Sequence, residues 1–251
     1  MPARFEGKVA VVTGAARGLG ASHARSFARE GADVAVTDLC HDLPEARYAM
    51  GAEAEMNSVV KEIKDLGRRA IGIRCDVTKA QDVENMVQGV MDEFGRIDIL
   101  VNNAGASSKM MPFMKMTSED WDYDIGVNLF GQMNVAHAVL PHMMSREQGR
   151  IINTSGGQGI PTLSTYGAAK AGVVMFTRAL AKEVQGSGVI VTVYSPGLGA
   201  TGLTADDPRM DSIAPTLPLG RLCTPQDVAP IVAFLASDLS SYMAASMVGS
   251  H

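Results

Sequence analysis

The chain has 251 residues, with 22 basic and 27 acidic side chains, a formal charge of −5, and 46% hydrophobic against 20% charged residues. That length suits one large α/β domain with a sizeable core, and the acidic balance without any Lys/Arg run excludes the basic patch of a nucleic-acid binder. No apolar stretch approaches the ~18 residues needed to cross a membrane, and residues 1–8 lack the apolar core of a signal peptide, so a cytoplasmic protein is expected.

The first predicted strand, 9–13, is apolar throughout and runs into Gly14-Ala15-Ala16-Arg17-Gly18-Leu19-Gly20, with a helix over 19–30. Glycines let a backbone turn tightly and approach a pyrophosphate, and the helix start offers free N–H groups. The second strand, 34–37, is followed by Asp38, and 38 − 20 puts this acid 18 residues past the last glycine. A carboxylate there would bind an adenosine ribose diol and repel a 2′-phosphate, which favours NAD over NADP. Arg17 argues the other way, because a base in the glycine turn suits a 2′-phosphate. An irregular segment, 39–50, leads to a helix over 56–66, a strand over 70–74, a helix over 80–94 and a strand over 97–101.

The segment 107–116 carries Met110, Met111, Met114 and Met116, flexible side chains that suit either an apolar pocket or packing under a loop. A helix is predicted over 118–144, a strand over 150–154, a helix over 166–184 and a strand over 189–194, before a second irregular stretch, 198–219. Apolar strands alternating with longer amphipathic segments imply right-handed βαβ units and a parallel sheet buried on both faces. Without linker or repeat, residues 1–251 read as one doubly wound domain. Tyr166 and Lys170, four apart, share one helix face. An ammonium beside a phenol favours the phenolate, so the pair could exchange a proton with an alcohol or a carbonyl. Cys40, Cys75 and Cys223 form neither a disulfide framework nor metal-ligand spacing, so no metal is expected. His23 and His41 are expected as surface or capping residues, and Asp98 as structural.

Thr13-Gly14-x-x-x-Gly18-x-Gly20, Asn102-Asn103-Ala104-Gly105, Tyr166-x-x-x-Lys170 and Pro196-Gly197 stand in the order and spacing of the short-chain dehydrogenase/reductase family. The chain resembles that family over essentially its whole length. The resemblance implies a single Rossmann-like domain with a seven-stranded sheet ordered 3-2-1-4-5-6-7, and hydride transfer between a nicotinamide and a secondary alcohol or ketone. It makes Tyr166 the general acid/base and Lys170 its pKa modifier and a binder of the nicotinamide ribose. It makes Asn128 the anchor of a relay water. The cofactor contacts it implies are Gly14, Arg17, Gly18, Leu19 and Gly20, then Asp38, Asp76 and Val77, then Asn103, Ala104 and Gly105. Tyr166, Lys170, Pro196, Gly197 and Thr201 complete the set.

The family's catalytic serine falls on Gly156 when the strands are aligned. The loop to Tyr166 is shorter here, however, and Ser155 is taken as the hydroxyl, with Ser164 and Thr154 as substitutes. The insert after Asp38 resembles the carveol-dehydrogenase-like branch and implies slow cofactor exchange, against the plain reading of a solvated loop. The segment 198–220 resembles the substrate loop. The helix from Tyr166 is apolar nearly all round and resembles the family's subunit contact, so a homodimer or homotetramer is expected. The sequence stops at Val248-Gly249-Ser250-His251, without the family's Asp-Gly-Gly tail, which weighs against the tetramer. The expected activity is NAD-dependent oxidation of an apolar secondary alcohol, or the reverse reduction of a ketone. A 3-oxoacyl thioester reductase and a catalytically silent dinucleotide sensor are the alternatives.

Overall fold

The computed structural model describes residues 3–199, 202, 204 and 207–249. From the N-terminus the chain forms β1 (Val9–Thr13), α1 (Gly18–Arg29), β2 (Asp33–Asp38), α2 (Glu53–Asp65), β3 (Ala70–Arg74), α3 (Ala80–Phe94) and β4 (Ile99–Asn102). It continues through α4 (Ser118–Ile125), α5 (Gly131–Met144), β5 (Gly149–Thr154), α6 (Ser164–Glu183), β6 (Val189–Ser195), α7 (Met210–Ile213), α8 (Pro225–Ala236) and β7 (Met247–Gly249). The seven strands form one parallel sheet in the order β3-β2-β1-β4-β5-β6-β7.

Strand residues alternate between two apolar layers, which is why the strands read as continuous apolar runs. Ala10 and Val12 of β1 join Phe27 of α1, Ile63 of α2 and Val232 of α8 on one face. Val9 and Val11 join Val87 of α3, Val139 of α5 and Leu180 of α6 on the other. The chain order reverses between β1 and β4. In open α/β sheets a cleft forms beyond the strand ends at such a switch point, and the Gly14 turn and the Asn103–Gly105 turn flank it here.

The helix predicted over 118–144 is interrupted. Between α4 and α5, residues Gly126–Phe130 form a wider π turn. The cause is Asn128: its Nδ2 donates to the Asp124 carbonyl at 2.8 Å, the acceptor its own N–H would use in a regular helix. Sequence periodicity also passed over α8. Its start carries a reciprocal cap, in which Asp227 N donates to Thr224 Oγ1 at 3.3 Å and Thr224 N to Asp227 Oδ2 at 2.8 Å.

Candidate active site

A cavity of about 700 Å³ opens at the switch point. Its floor is the glycine turn. Gly14 has φ +62°, and a Cβ there would come within 2.9 Å of the Ala104 backbone. Gly18 has φ +59°, and a Cβ on it would meet nothing within 4 Å. Arg17 precedes α1 without a side-chain cap, so the first-turn N–H groups, which lack intrahelical acceptors, are left for a ligand. Leu19 and Gly20 line the same floor. The second turn braces the first: Asn103 Nδ2 donates to the Thr13 and Gly14 carbonyls at 2.9 and 3.1 Å. Thr13 Oγ1 accepts from the backbone N–H groups of Asn103 and Ala104, both at 3.0 Å.

At one end of the cavity stands Asp38, 8% exposed. Its Oδ2 accepts from Ala16 N at 2.9 Å, and a Cβ on Gly51 would approach its Oδ1 to 2.9 Å. Asp76 and Val77 line this end. Burial pushes the Asp76 carboxyl up, but hydrogen bonds from Thr78 and Lys79 outweigh it and hold the group low. The segment after Asp38 is no free surface loop. Leu43, Arg47, Tyr48 and Met50 line the cavity. Arg47 N donates to Ser107 O at 3.1 Å, so the segment reaches the turn beyond β4. The Arg17 guanidinium donates to Ala49 O and lies 5.9 Å from the centre of the Tyr48 ring.

At the other end Tyr166, Lys170 and Asn128 converge. Lys170 is 2% exposed, and its Nζ donates to Thr154 O at 3.1 Å and lies 5.6 Å from the Tyr166 ring centre. A Cβ on Gly105 would stand 2.8 Å from Asn128 Oδ1 and 3.1 Å from Lys170 Nζ, so these two atoms close on one point. Asn128 Nδ2 is fully used, donating to Ala106 O at 2.6 Å and to Asp124 O. Its buried Oδ1 has no partner among the described residues. Burial lowers the Lys170 pKa to about 7. Burial also raises that of Tyr166, reinforced by Tyr48, Asp124 and Tyr194. In the chain alone, desolvation thus outweighs the phenolate-favouring effect expected of Lys170.

Ser155 is placed differently from the expectation. Its hydroxyl donates to the Lys170 carbonyl at 2.8 Å and accepts from Gln158 Nε2 at 2.8 Å. Its one proton is spent on the backbone of α6. Gly156, with φ +122°, occupies the next position. Pro196 and Gly197 line the cavity, whereas Thr201 lies outside the described residues. Of the four clustered methionines Met110 lines the cavity, Met114 is 97% exposed, and Met116 Sδ accepts from Thr165 Oγ1 at 3.7 Å. His23 is not at the surface. It is wholly buried, 2.8 Å from Tyr194 Oη, and burial lowers its pKa to about 3.

Three further residues shape the site. Gln132 Nε2 donates to Asn128 O and Thr154 O at 3.0 and 2.8 Å, locking the π turn to the end of β5. Asp124, 1% exposed, accepts from Ser108 N at 2.7 Å and from Ser108 Oγ and Thr165 Oγ1. Gln158 lines the cavity beside Tyr166. Asp124 shares α4 with Glu119, Asp120 and Asp122, so its sequence context does not single it out, and Gln132 and Gln158 gave no signal either.

A parallel sheet in this order, a glycine turn at its switch point and a Tyr–Lys–Asn cluster across the cleft define a nucleotide-binding oxidoreductase fold. The chain belongs to the short-chain dehydrogenase family, whose profile matches residues 8–211. It is 37% identical to a 3-oxoacyl-[acyl-carrier-protein] reductase of Thermotoga maritima over 98% of this chain and 97% of that protein. Its structure is similar to carveol dehydrogenase from Mycobacterium avium in complex with NAD, with a TM-score of 0.93 and 30% identity over 98% of this chain and 97% of that one. A short-chain type dehydrogenase/reductase from Mycobacterium marinum aligns with a TM-score of 0.88 and 32% identity over 99% and 95%. These likenesses support the carveol-dehydrogenase-like branch.

Proposed function

We propose that the protein oxidises an apolar secondary alcohol, or reduces the corresponding ketone, with NAD. The observation that carries this reading is the convergence of Tyr166, Lys170 and Asn128 at one end of a cavity whose other end is Asp38. The residues present fit a dinucleotide. Gly18 opens into the cavity where a phosphate would sit, α1 supplies N–H groups, and the orphaned Asn128 Oδ1 needs a polar partner. Nicotinamide, when bound, takes a hydride from the alcohol carbon or returns it to the carbonyl carbon.

The chain's part is binding and proton handling. Tyr166 Oη receives the hydroxyl proton during oxidation and gives it back during reduction. Lys170, sharing a proton near neutrality, holds the nicotinamide ribose and recharges Tyr166. A water held by Asn128 Oδ1 at the mouth of Gly105 passes the proton on. Asp38 would accept from the adenosine ribose diol, and the Arg17 guanidinium donates to Ala49 O. Asp76 and Val77 would hold the adenine, and Pro196 and Gly197 the carboxamide. Ile160, Leu163, Met110 and Ile213 give the substrate end its apolar lining.

A second reading, reduction of 3-oxoacyl thioesters, is favoured by the name of the Thermotoga relative. One experiment separates the two. Purified protein is offered cyclohexanol, carveol and 3-hydroxybutanoyl thioesters with NAD or NADP, and nicotinamide absorbance is followed. Turnover of the neutral alcohols with NAD supports the first reading. Turnover of thioesters alone, with NADP, replaces it by the second.

A further inference from the structure

A carbonyl oxygen has two lone pairs, and charge gathers on it as the bond order changes. Tyr166 serves one lone pair. A second donor fixed at that oxygen typically contributes ~10²–10³ in rate. The chain has four positions where a hydroxyl would be sought: Ser164 Oγ lies against Met116 Sδ at 3.8 Å, Thr154 Oγ1 faces the buried Tyr194 phenol, and the other two offer none. Gly156 has no side chain, and Ser155 has spent its proton on Lys170 O at 2.8 Å.

That commitment settles the chemistry of the next side chain. A hydroxyl that has given its single hydrogen can only accept, so the Gln158 atom 2.8 Å from Ser155 Oγ is the amide nitrogen. An amide nitrogen carries two hydrogens. One is held by Ser155, and the described residues provide no acceptor for the other. The backbone carries Gln158 past the Tyr166 ring, in the lining of the same cavity. A Cβ on Gly157 (φ +64°) would strike Tyr166 Cε1 at 2.5 Å, and one on Gly167 would lie 3.7 Å from Gln158 Cα. The strand of chain carrying Gln158 therefore lies against the Tyr166 ring and the first turn of α6, inside the cavity lining.

We propose that Gln158 is a catalytic residue that donates its second amide hydrogen to the substrate oxygen, and that Ser155 is the positioning residue that orients it. The proposal rests on the reading of Tyr166 as the acid/base.

The test uses the full-length protein with NAD and carveol, or whichever alcohol of the panel turns over fastest. Gln158→Leu lowers kcat by ~10²-fold or more, with the NAD dissociation constant and KM changed little. Ser155→Ala lowers kcat less, because it frees the amide without removing it. Added to Gln158→Leu it costs nothing further, the non-additivity of two residues acting as a unit. Two results overturn the proposal. Either Gln158→Leu retains most of its kcat, or Ser155→Ala costs the full factor in both backgrounds, which makes the serine the donor. Tyr166→Phe is the control. If it stays active, the acid/base reading fails; if it is dead while Gln158→Leu is active, this inference alone fails. Melting temperatures confirm that each variant is folded, and should Ser155→Ala not fold, Gln158→Leu decides by itself.

Discussion

Burial holds the Lys170 amino group at a pKa of about 7, against 10.5 in a free side chain. Between those values the unfolded chain binds the extra proton and the folded chain does not, so stability rises with pH across that window. Below about pH 7 the buried charge costs its full amount. Lys170→Met removes this penalty and takes one of two side-chain donors from Thr154 O, leaving Gln132 Nε2, a loss that does not vary with pH. The melting-temperature difference between variant and parent is therefore expected to move in the parent's favour as pH rises from about 7 to 10.5, as thermal denaturation at several pH values would show. Tyr166→Phe, in contrast, keeps the ring that packs against Gly157 and loses only the hydroxyl. Turnover is expected to fall by ~10²-fold or more, with NAD affinity nearly intact in a fluorescence titration.

The elements that carry these residues were legible to different degrees, for physical reasons. β1 and the helices α1 and α3 were visible because a buried strand reads as an unbroken apolar run and an amphipathic helix has a strong period. The break at Gly126–Phe130 was not, because a π turn keeps the helical apolar pattern while a single side-chain hydrogen bond redirects the backbone. The positions of Tyr166, Lys170 and Asn128 followed from motif spacing. The orientation of Ser155 did not, since it depends on which acceptor its hydroxyl meets in three dimensions. Asp124 belongs to the same class of hidden information. Its carboxylate fastens Ser108, beyond β4, to Thr165, beside the acid/base. Asp124→Ala leaves buried donors unpaired, which typically costs about 1–3 kcal/mol for each. A loss of that order in denaturant unfolding, with a fall in kcat larger than any change in NAD affinity, is the expected outcome.

For the molecule as a whole, one buried carboxylate bears on cofactor choice and the exposed apolar side chains of α5 and α6 bear on self-association. Asp38 closes its end of the cavity with a buried carboxylate, so NAD is expected to bind at least about tenfold more tightly than NADP, a gap worth ~1.4 kcal/mol. Asp38→Ala is expected to narrow it in parallel titrations with both cofactors. On the outside, Met175 of α6 and Met133 of α5 are 55% and 37% exposed, with Phe130 at 54%. Exposed apolar side chains of this size suit the expected homodimer or homotetramer. Met175→Lys is expected to shift the protein toward a smaller species in analytical ultracentrifugation, and an unchanged sedimentation coefficient would place the contact elsewhere.

The brace between the two turns at the switch point changes what cofactor binding costs. Asn103 and Thr13 fix the shape of the glycine turn from within the protein, with no ligand needed to order it. A dinucleotide then meets a preorganised surface, and the protein gives up little chain entropy on its arrival. Asn103→Ala would loosen that surface. In calorimetry its signature would be a binding entropy made more unfavourable, because ligand binding would now have to order a turn that the parent protein orders as it folds.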